Sequence, residues 1–580
     1  MKWIQPLITF ILLFAILPPI TSSEGSVESI QFNVVFRQPV ISQSRICIEP
    51  ANHYLYVPGY PMLPVYRKTI LLPPSARDIT VKCEVMGIKY LNLSSVKRCP
   101  DPFPKILERI NFSLDKWFDY EIGRGLYGGK DHIILTISIY PVRYVGERAF
   151  TIKEAKVRID YEICSQSSVE RKDKMLIITP KEFLDVVENF ASQKRIDTVI
   201  STLDYIYNTS SGRDNAEKVK TFIKRAVDKE GIKYVLLIGG KEKLPARYIV
   251  SHFSYFPYQF LFISDLYYAD LYDANGSFCS WDTNGNSLFG EFNETSIIDK
   301  ADFYPDVYLG RLPCNDKEEL TNVLHKILAY ENIAKGDWFK RIILCGGNTW
   351  PTLGLFSAND LLYSLLYKGT IVNEGEYMCD VASNYMKGFD PIRIYASGIV
   401  RKDAIPLTRK NINEAINGGA GFIFFAGHGT PTSWATHPPL FKRIWLPFPF
   451  GYRTTDVQLL RNGLKLPIVV FSACLCADFD TVRNPIAWEF LRHRDGGGIA
   501  CYASTTVAML YPTDICTESL NGFISLDIFR LYAEGRKTAG ELWGDSIVDY
   551  INEGLSGYIP NDFLTFTEWE LFGDPSLRIG

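Results

Sequence analysis

The sequence lacks an excess of charge of either sign, and it lacks long apolar runs beyond its first residues. Its 62 basic and 65 acidic residues leave a net charge of −3, so it has no basic footprint for nucleic acid. No later stretch reaches about 18 consecutive apolar residues, the length that a membrane-spanning helix requires. No closely spaced cysteine pair meets a second pair at zinc-finger spacing, which argues against a structural zinc site.

What is present is the composition of a long folded chain. Its 580 residues are 47% hydrophobic and 22% charged, which excludes disorder and collagen-like structure. The length predicts more than one domain. Twelve cysteines predict some disulfide bonds if the protein is exported, although spacing alone leaves their connectivity open.

The first 23 residues have the pattern of a secretory signal peptide. Lys2 is followed by an apolar run from Leu7 to Leu17, then by two prolines and small polar residues. This run is too short to cross a hydrocarbon core of about 30 Å as a helix, but it suits a signal sequence. We therefore predict a signal peptide at residues 1–23 and a secreted or cell-surface protein. An uncleaved anchor is the alternative, because the cleavage site is not a standard A-x-A.

Two periodicities divide the rest of the chain. Between residues 24 and 170, apolar and polar residues alternate with a period of two, for example over 30–36, 79–85 and 157–163. This alternation predicts an all-β antiparallel domain. From residue 171 onward, short apolar strands alternate with amphipathic helices, which predicts an α/β fold with parallel strands. The pattern restarts near residue 342, so we expect two α/β units, 171–335 and 336–580.

Two predicted strands end in reactive residues. GFIFFAGHG ends at His428 and Gly429, and LPIVVFSAC ends at Cys474. Parallel α/β sheets place their ligands at the carboxyl ends of strands, and an imidazole can activate a neighbouring thiol. We predict Cys474 and His428 as a catalytic pair, with the backbone N–H groups of Gly429 and Cys474 as the oxyanion hole. A buried histidine beside an inert core cysteine is the alternative.

These segments resemble the gingipain family of cysteine peptidases, which belongs to the caspase-like clan. FFAGHGTPTSWATH and VVFSACLCADFD are similar to the family's catalytic histidine and cysteine segments. YVLLIGGKEKLPARY, YPDVYLGRLPC and LFGDPSLRI are similar to other parts of its catalytic domain, in the same order. GYPMLPVY and the strands up to IDYEI are similar to its β-rich prosegment. The resemblance covers nearly the whole chain and implies a caspase-like catalytic domain preceded by an all-β prosegment.

The resemblance implies a secreted cysteine endopeptidase, made as a zymogen and acting on protein or peptide substrates. Cys474 would form the acyl-enzyme, His428 would be the general base, and the chain's own prosegment would be an intramolecular inhibitor. Cys474 matches the family's nucleophile better than Cys476, because Ala473 precedes it and Asp478 follows at the family spacing. Two other hypotheses stay open: a sortase-like transpeptidase that uses the same pair, and a non-catalytic surface binding protein on the peptidase fold.

The chain departs from the family between and before these segments. The stretch between His428 and Cys474 is longer than in the family, and its extra residues, 438–456, are rich in apolar residues and proline. We expect them to form a lid or docking surface. An acidic residue thought to orient the histidine follows the family's counterpart of RIILCGG, but here the sequence reads GGNTWPT. No third catalytic residue is therefore assigned.

Asp360 and Leu510 are the candidates for substrate binding. In Arg-specific members, a carboxylate in the specificity pocket begins the helix after the first strand of the His-Cys unit, and an ungapped alignment brings Asp360 there. Aligning the apolar helix positions instead brings Leu355 or Phe356 there and leaves the pocket uncharged. Leu510 occupies the position at which we would expect the relatives' tryptophan. The sequence leaves open whether the enzyme would cleave after a basic or after an apolar residue. It also leaves open whether Asp360 is only a helix cap.

A turn rich in oxygen donors suggests calcium. The segment SWDTNGNSLFGE carries Asp282, Asn284, Asn286 and Glu291 near a tight turn. Calcium takes six to eight oxygen ligands, and members of the resembled family are stabilised by calcium. The spacing is not that of an EF-hand, so an Asx-rich turn without metal is the alternative.

The polar linker after the β domain suggests a cleavage site. It carries Arg171, Lys172 and Lys174, and exposed polar linkers are preferred sites of proteolytic nicking. We expect cleavage between about residues 165 and 175 to release the catalytic units from the prosegment.

Overall fold

The structure is a computed structural model, and a few segments lie outside its described part. It describes residues 26–42, 45–93, 96–100, 113–146, 148–164, 171–252, 260–293, 296–333, 335–350, 373–439, 441 and 443–580. The predicted signal peptide, most of the linker and Asp360 therefore lie outside the described residues.

The N-terminal region is built from antiparallel strands. Its described strands are β1 (Ser26–Val35), β2 (Val40–Ser42), β3 (Arg45–Cys47), β4 (His53–Leu55), β5 (Leu63–Leu72), β6 (Ala76–Met86), β7 (Lys89–Leu91), β8 (Phe118–Tyr127), β9 (Lys130–Ile139), β10 (Val142–Val145), β11 (Arg148–Thr151) and β12 (Glu154–Ile163). Every pairing among them is antiparallel. The three alternating segments of the sequence form one sheet in the order β1-β12-β6. The predicted all-β antiparallel region is confirmed.

Alternation explains how this region holds together. Val157 and Ile159 on β12 are buried while the intervening Arg158 is exposed. Each such side chain contributes about 1.5–3 kcal/mol when it is fully buried. The strands are therefore held by one apolar face, as the period of two predicts.

The described strands after the N-terminal region form one sheet of eleven strands and two sheets of three. They are β13 (Lys174–Thr179), β14 (Asp197–Thr202), β15 (Tyr234–Ile238), β16 (Tyr248–His252), β17 (Phe260–Ile263), β18 (Phe292–Asn293), β19 (Tyr308–Leu312), β20 (Arg341–Gly346), β21 (Asp390–Tyr395), β22 (Ile405–Pro406), β23 (Phe422–Ala426), β24 (His428–Thr430), β25 (Ser433–Ala435), β26 (Tyr452–Arg453), β27 (Ile468–Ser472), β28 (Ala500–Ser504) and β29 (Trp569–Phe572). The order in the large sheet is β14-β13-β15-β19-β29-β28-β27-β23-β20-β21-β22.

Helices connect these strands and pack against the sheet. They are Leu184–Ala191, Leu203–Thr209, Asn215–Glu230, Leu266–Ala269, Lys317–Asn332, Glu374–Tyr385, Arg409–Gly418, Thr454–Val457, Ile486–Arg492, Leu520–Ala533, Ala539–Asp549 and Ile559–Thr567. The central strands are apolar throughout and fully buried, as in β23 and β27, because both faces of a parallel sheet are covered. The alternation of strands and helices after residue 171 is confirmed.

The two α/β units are continuous with each other. The C-terminal strand β29 lies between them, parallel to β19 of the first unit and antiparallel to β28 of the second. The predicted fold class is confirmed. The two units share one sheet, however, and β29, the strand that joins them, is antiparallel to β28 of the second unit. The sequence pattern shows a restart near residue 342 because the second unit is built around its own first strand, β20.

The N-terminal region docks on the α/β region through backbone and side-chain hydrogen bonds. The amide of Leu126 donates to the carbonyl of Pro305 at 2.7 Å. The amide of Gly128 donates to Asp545 at 3.0 Å, and the Thr136 hydroxyl donates to Asn552 at 2.6 Å. The acceptors Pro305, Asp545 and Asn552 are buried, so these bonds between the two regions are shielded from water.

Arg171 does not lie in an exposed linker as expected. Its side chain is 5% exposed and pairs with Asp131 of the β domain at 2.8 Å. It also donates to the carbonyl of Ile232 at 3.0 Å. Arg171 therefore ties the β domain to the first α/β unit, whereas Lys172 is exposed. Lys174 begins β13 and pairs with Glu230.

Two further expectations concern disulfides and membrane spans. All twelve cysteines lie within the described residues, and the structure contains no disulfide bond between them; the expected pairing of some of them is wrong for this structure, in which eight are buried in the core. Within the part of the chain described above, the helices are too short or too polar to traverse a bilayer.

Candidate functional site

Sheet register brings His428 and Cys474 to the same edge. Strands β23 and β27 are parallel neighbours, and Ala426 of β23 pairs with Ser472 of β27. His428 and Cys474 each follow two residues beyond this pair. The amide of Gly427 also donates to the Ser472 carbonyl at 3.0 Å, so the two strands stay joined up to the point at which the chain turns away. The structure therefore places both predicted residues at the carboxyl ends of neighbouring strands, at the same edge of the sheet.

A backbone carbonyl orients the imidazole. His428 Nε2 lies 2.9 Å from the carbonyl oxygen of Thr349, which follows β20, the strand next to β23. A carbonyl can only accept, so Nε2 carries the proton and Nδ1 has the free lone pair. Burial lowers the pKa of His428 below its usual value, and the hydrogen bond to Thr349 only partly opposes this shift. His428 is therefore a neutral base at neutral pH.

Glu374 supports this carbonyl and was missed by the sequence analysis. It is the first residue of a helix and is buried. One carboxylate oxygen accepts from the amides of Thr349 at 3.2 Å and Trp350 at 3.4 Å. The other accepts from the amide of Thr513 at 3.0 Å. Glu374 thus joins the His428-orienting turn to the loop after β28; a carboxylate heading the helix before β21 was the available signal.

The Cys474 thiol is protonated in this environment. Burial raises its pKa to about 11, and the Glu568 carboxyl adds to the effect. Its Sγ lies 3.6 Å from the carbonyl oxygen of Ala508 in the loop after β28. At neutral pH the thiol and the imidazole are therefore both uncharged.

The predicted oxyanion donors lie next to Sγ. The amides of Gly429 and of Cys474 itself both act to lower the pKa of the thiol, against the larger effect of burial, and their role as oxyanion donors stays a prediction. A side chain at Gly429 would collide with the Cys474 carbonyl and the Cys476 Sγ. Glycine at 429 is what allows the two turns to approach. Leu475, immediately after Cys474, has a positive φ of 60°, so the turn that presents the thiol is strained.

The neighbouring cysteine and histidine have other environments. Cys476 is fully buried, and burial raises the pKa of its thiol well above the usual range. His437 is also buried, and its Nδ1 lies 2.7 Å from the Ile444 carbonyl. Its ring lies 5.5 Å from that of His428, so it contacts the candidate histidine.

The predicted substrate-binding residues have different outcomes. Leu510 is buried in the loop after β28, against Gly522, and Ala508 of the same loop contacts Cys474. Asp360 lies outside the described residues, so its role stays a prediction, and so does that of Leu510.

The predicted calcium ligands already use their oxygen atoms. Asp282 accepts from the amides of Gly285, Asn286 and Ser287 and pairs with Arg213. The side-chain amide of Asn284 donates to Glu291 at 2.9 Å, and the side-chain amide of Asn286 donates to it at 2.6 Å.

The remaining oxygens of this turn are also engaged. The side-chain oxygen of Asn284 accepts from the Asn286 amide, and that of Asn286 accepts from the Leu288 amide. The other oxygen of Glu291 lies 2.9 Å from His252. Within the described residues, no three acidic, histidine or cysteine side chains form a group suited to a metal. As arranged, this turn does not fit calcium, and the calcium site stays a prediction.

Comparisons with known proteins agree with the arrangement of these segments. A family model described as Peptidase family C25 matches residues 168–580. Gingipain R2 of Porphyromonas gingivalis strain W83 is 26% identical over 447 residues, covering 73% of this chain and 48% of that protein. Lys-gingipain W83 of the same species is 24% identical over 212 residues, covering 36% of this chain and 10% of that protein. The chain thus spans about half the length of Gingipain R2.

Solved structures show a weaker likeness. The crystal structure of the Arg-specific cysteine proteinase gingipain R has 22% sequence identity and a TM-score of 0.48, covering 71% of this chain and 80% of that one. The complex of the pro- and mature domains of RgpB from Porphyromonas gingivalis has 22% identity and a TM-score of 0.47, covering 70% and 79%.

Proposed function

Because the chain belongs to peptidase family C25, we propose that it is a cysteine endopeptidase that hydrolyses protein or peptide substrates through Cys474 and His428. The observation that carries this proposal is the register of β23 and β27, which places the two residues at equal distances beyond a paired position. A thiol and an imidazole with an available Nδ1 at neighbouring strand ends supply the nucleophile and the base that nucleophilic catalysis requires.

In the proposed mechanism, proton transfer accompanies attack. Nδ1 of His428 takes the proton of the Cys474 thiol as Sγ bonds to the scissile carbonyl carbon. The resulting oxyanion accepts from the N–H groups of Gly429 and Cys474. Collapse breaks the C–N bond, and His428 gives its proton to the leaving amine. His428 then deprotonates a water molecule, which hydrolyses the thioester and returns the thiol.

The raised pKa of Cys474 and the lowered pKa of His428 support a neutral starting pair. Forming a thiolate and imidazolium in this site requires a substrate carbonyl and oxyanion donors to share the charge as it develops. Thr349 stabilises the imidazolium by accepting from Nε2 throughout. This arrangement gives the backbone carbonyl of Thr349 the orienting role that the sequence analysis left unassigned.

Latency and export are part of the same proposal. The β domain is docked on the catalytic region by Arg171, Thr136 and Leu126, which supports its role as an intramolecular prosegment. We propose that cleavage in the linker, after the exposed Lys172 or within the residues just before it, begins activation. The signal-peptide pattern at residues 1–23 supports a secreted or cell-surface enzyme.

The proposal is tested with two matched cysteine variants. Cys474→Ala and Cys476→Ala remove thiols two residues apart, and only the first is expected to lower peptide hydrolysis by about a thousandfold or more. Full-length protein should be assayed before and after limited proteolysis of the linker. Equal activity of Cys474→Ala and wild type would contradict the proposal. Adding an amine acceptor and identifying products by mass spectrometry distinguishes hydrolysis from transpeptidation.

A further inference from the structure

Two exposed tryptophans flank the candidate catalytic histidine. The Trp445 ring lies 5.3 Å from the His428 ring at an interplanar angle of 84°. The Trp350 ring lies 6.1 Å from it at 79°. Their exposed fractions are 41% and 39%, so each ring shows an apolar surface to solvent. We call this pair the tryptophan rim.

The rim is held in place although it is exposed. The loop that carries Trp445 is closed at its base by two hydrogen bonds between Thr436 and Leu446, at 2.9 and 2.8 Å. Trp445 also packs on the buried ring of His437 with centroids 3.9 Å apart. The two backbone bonds between His437 and Asn348, at 2.9 and 3.1 Å, join this loop to the turn that carries Trp350. A binding surface fixed in this way loses little entropy when a ligand binds.

The exposure of the rim indicates a ligand. Burying a large aromatic side chain is strongly favourable, and tryptophans are enriched among the residues that dominate binding energy. Phe441 and Ile444 of the same loop are also exposed, and so are Phe448 and Phe450 just beyond it. Exposed apolar surface of this kind marks an interaction site, and the ring contacts of Trp350 and Trp445 with His428 place it against the candidate catalytic site.

The chemistry of the reaction decides which part of a substrate meets the rim. His428 protonates the leaving amine, so the leaving group must lie on the imidazole side of the scissile bond, away from the thioester at Cys474. The tryptophans contact the imidazole itself. A side chain that follows the scissile bond therefore passes close to them.

We propose that Trp350 and Trp445 form a subsite for a bulky apolar side chain on the C-terminal side of the scissile bond. This inference rests on the proposed peptidase function. It assigns a substrate-binding role to the apolar segment between His428 and Cys474. An aromatic or long aliphatic side chain fits best, because it covers the exposed faces of both rings and excludes water from the leaving amine.

The test uses three substrates with the same acyl part. Two peptides carry Phe or Gly immediately after the scissile bond, and the third carries a small chromogenic amine there. We expect wild type to prefer the Phe peptide over the Gly peptide by about tenfold or more in kcat/KM. Trp445→Ala and Trp350→Ala should each reduce this ratio several-fold, and Trp445→Phe should restore part of it.

Leu459→Ala is the matched control. Leu459 is 62% exposed and lies outside the loop that carries Trp445, which Thr436 and Leu446 close. Removing it should leave the Phe-to-Gly ratio unchanged. This comparison separates the loss of a rim side chain from the loss of any exposed apolar side chain.

The outcomes separate this inference from the proposed function. If wild type cleaves none of the three substrates after linker cleavage, the proposed function fails, and the subsite with it. If wild type is active but has no preference for Phe, the subsite is wrong and the peptidase stands. If Trp445→Ala lowers all three activities equally, Trp445 only positions His428. If it changes only self-association measured by sedimentation, the rim is an interface between copies; each of these results overturns the inference.

Discussion

The strand ends of the two α/β units have opposite uses. In the first unit, the fully buried Arg311 on β19 donates to both oxygens of Asp265 and to the Gly239 and Leu244 carbonyls. In the second unit, His428 and Cys474 follow the carboxyl ends of β23 and β27 and are partly exposed. One edge of the same sheet is closed by an ion pair in its first half, whereas in its second half the proposed catalytic residues remain accessible.

This difference shows what a catalytic strand end requires. Arg311 has its donors directed at oxygen acceptors, so nothing remains for a substrate. The His428 imidazole has one nitrogen engaged by Thr349 and the other free. A site needs groups that are held firmly and keep a lone pair available, as the His428 imidazole does in the second unit.

The largest expected effect comes from removing Arg311, which fills the strand end of the first unit. Arg311→Met leaves Asp265 buried without its cation and should lower the free energy of unfolding by about 3–5 kcal/mol. Urea denaturation followed by far-UV circular dichroism measures this loss. Lys317→Met removes an exposed partner of Asp185 and should barely move the midpoint, because exposed pairs contribute little. Similar losses in both variants would show that Arg311 is not the closure that we describe.

A smaller effect tests Glu374, which binds the turn that orients His428 in the second unit. Glu374→Gln places an amide group against backbone N–H donors and should lower the free energy of unfolding by about 1–3 kcal/mol. It should also reduce kcat/KM about tenfold to a hundredfold, because the Thr349 carbonyl no longer orients His428.

Glu376→Gln is the matched control for this change. Glu376 is a buried carboxylate on the same helix, but it binds the amide and hydroxyl of Ser397. This variant should lose comparable stability and keep its kcat/KM. Parallel losses of activity in the two variants would mean that Glu374 acts only through general stability.

The smallest effect concerns the protonation states of Cys474 and His428. Because the pKa of Cys474 is about 11, its alkylation by iodoacetamide should keep rising through pH 9. Because the pKa of His428 lies below 6.5, its base form persists as pH falls, and the acid limb of kcat/KM should lie below that value. Glu568→Gln should shift the alkylation profile to lower pH, since Glu568 raises the pKa of the thiol. Alkylation already maximal at neutral pH would instead indicate a thiolate–imidazolium pair.

Local pattern was sufficient for most of the fold. The alternating segments predicted β1, β6 and β12, and the fully apolar runs predicted β23 and β27, because periodicity reports directly which faces are buried. The reactive ends of β23 and β27 could be read from the same runs. Parallel neighbours then bring such ends together, although the register itself is visible only in the structure.

Other features depend on contacts that no local pattern records. The position of β29 between the two units joins residues far apart in sequence, and Arg171 is buried because it meets Asp131 of the β domain. Glu374 is the first residue of an ordinary helix, and its function arises only where Thr349 and Thr513 direct their amides at it.

The sequence by itself determined the all-β and α/β regions, the two strands that end in His428 and Cys474, and the apolar character of the segment between them. The tertiary structure decided which nitrogen of His428 is free, which group orients it, and where two tryptophans lie around it. The physical reason is that burial periodicity is a property of neighbouring residues along the chain. Hydrogen-bond partners, pKa values and exposed ring faces depend instead on atoms that only folding brings together.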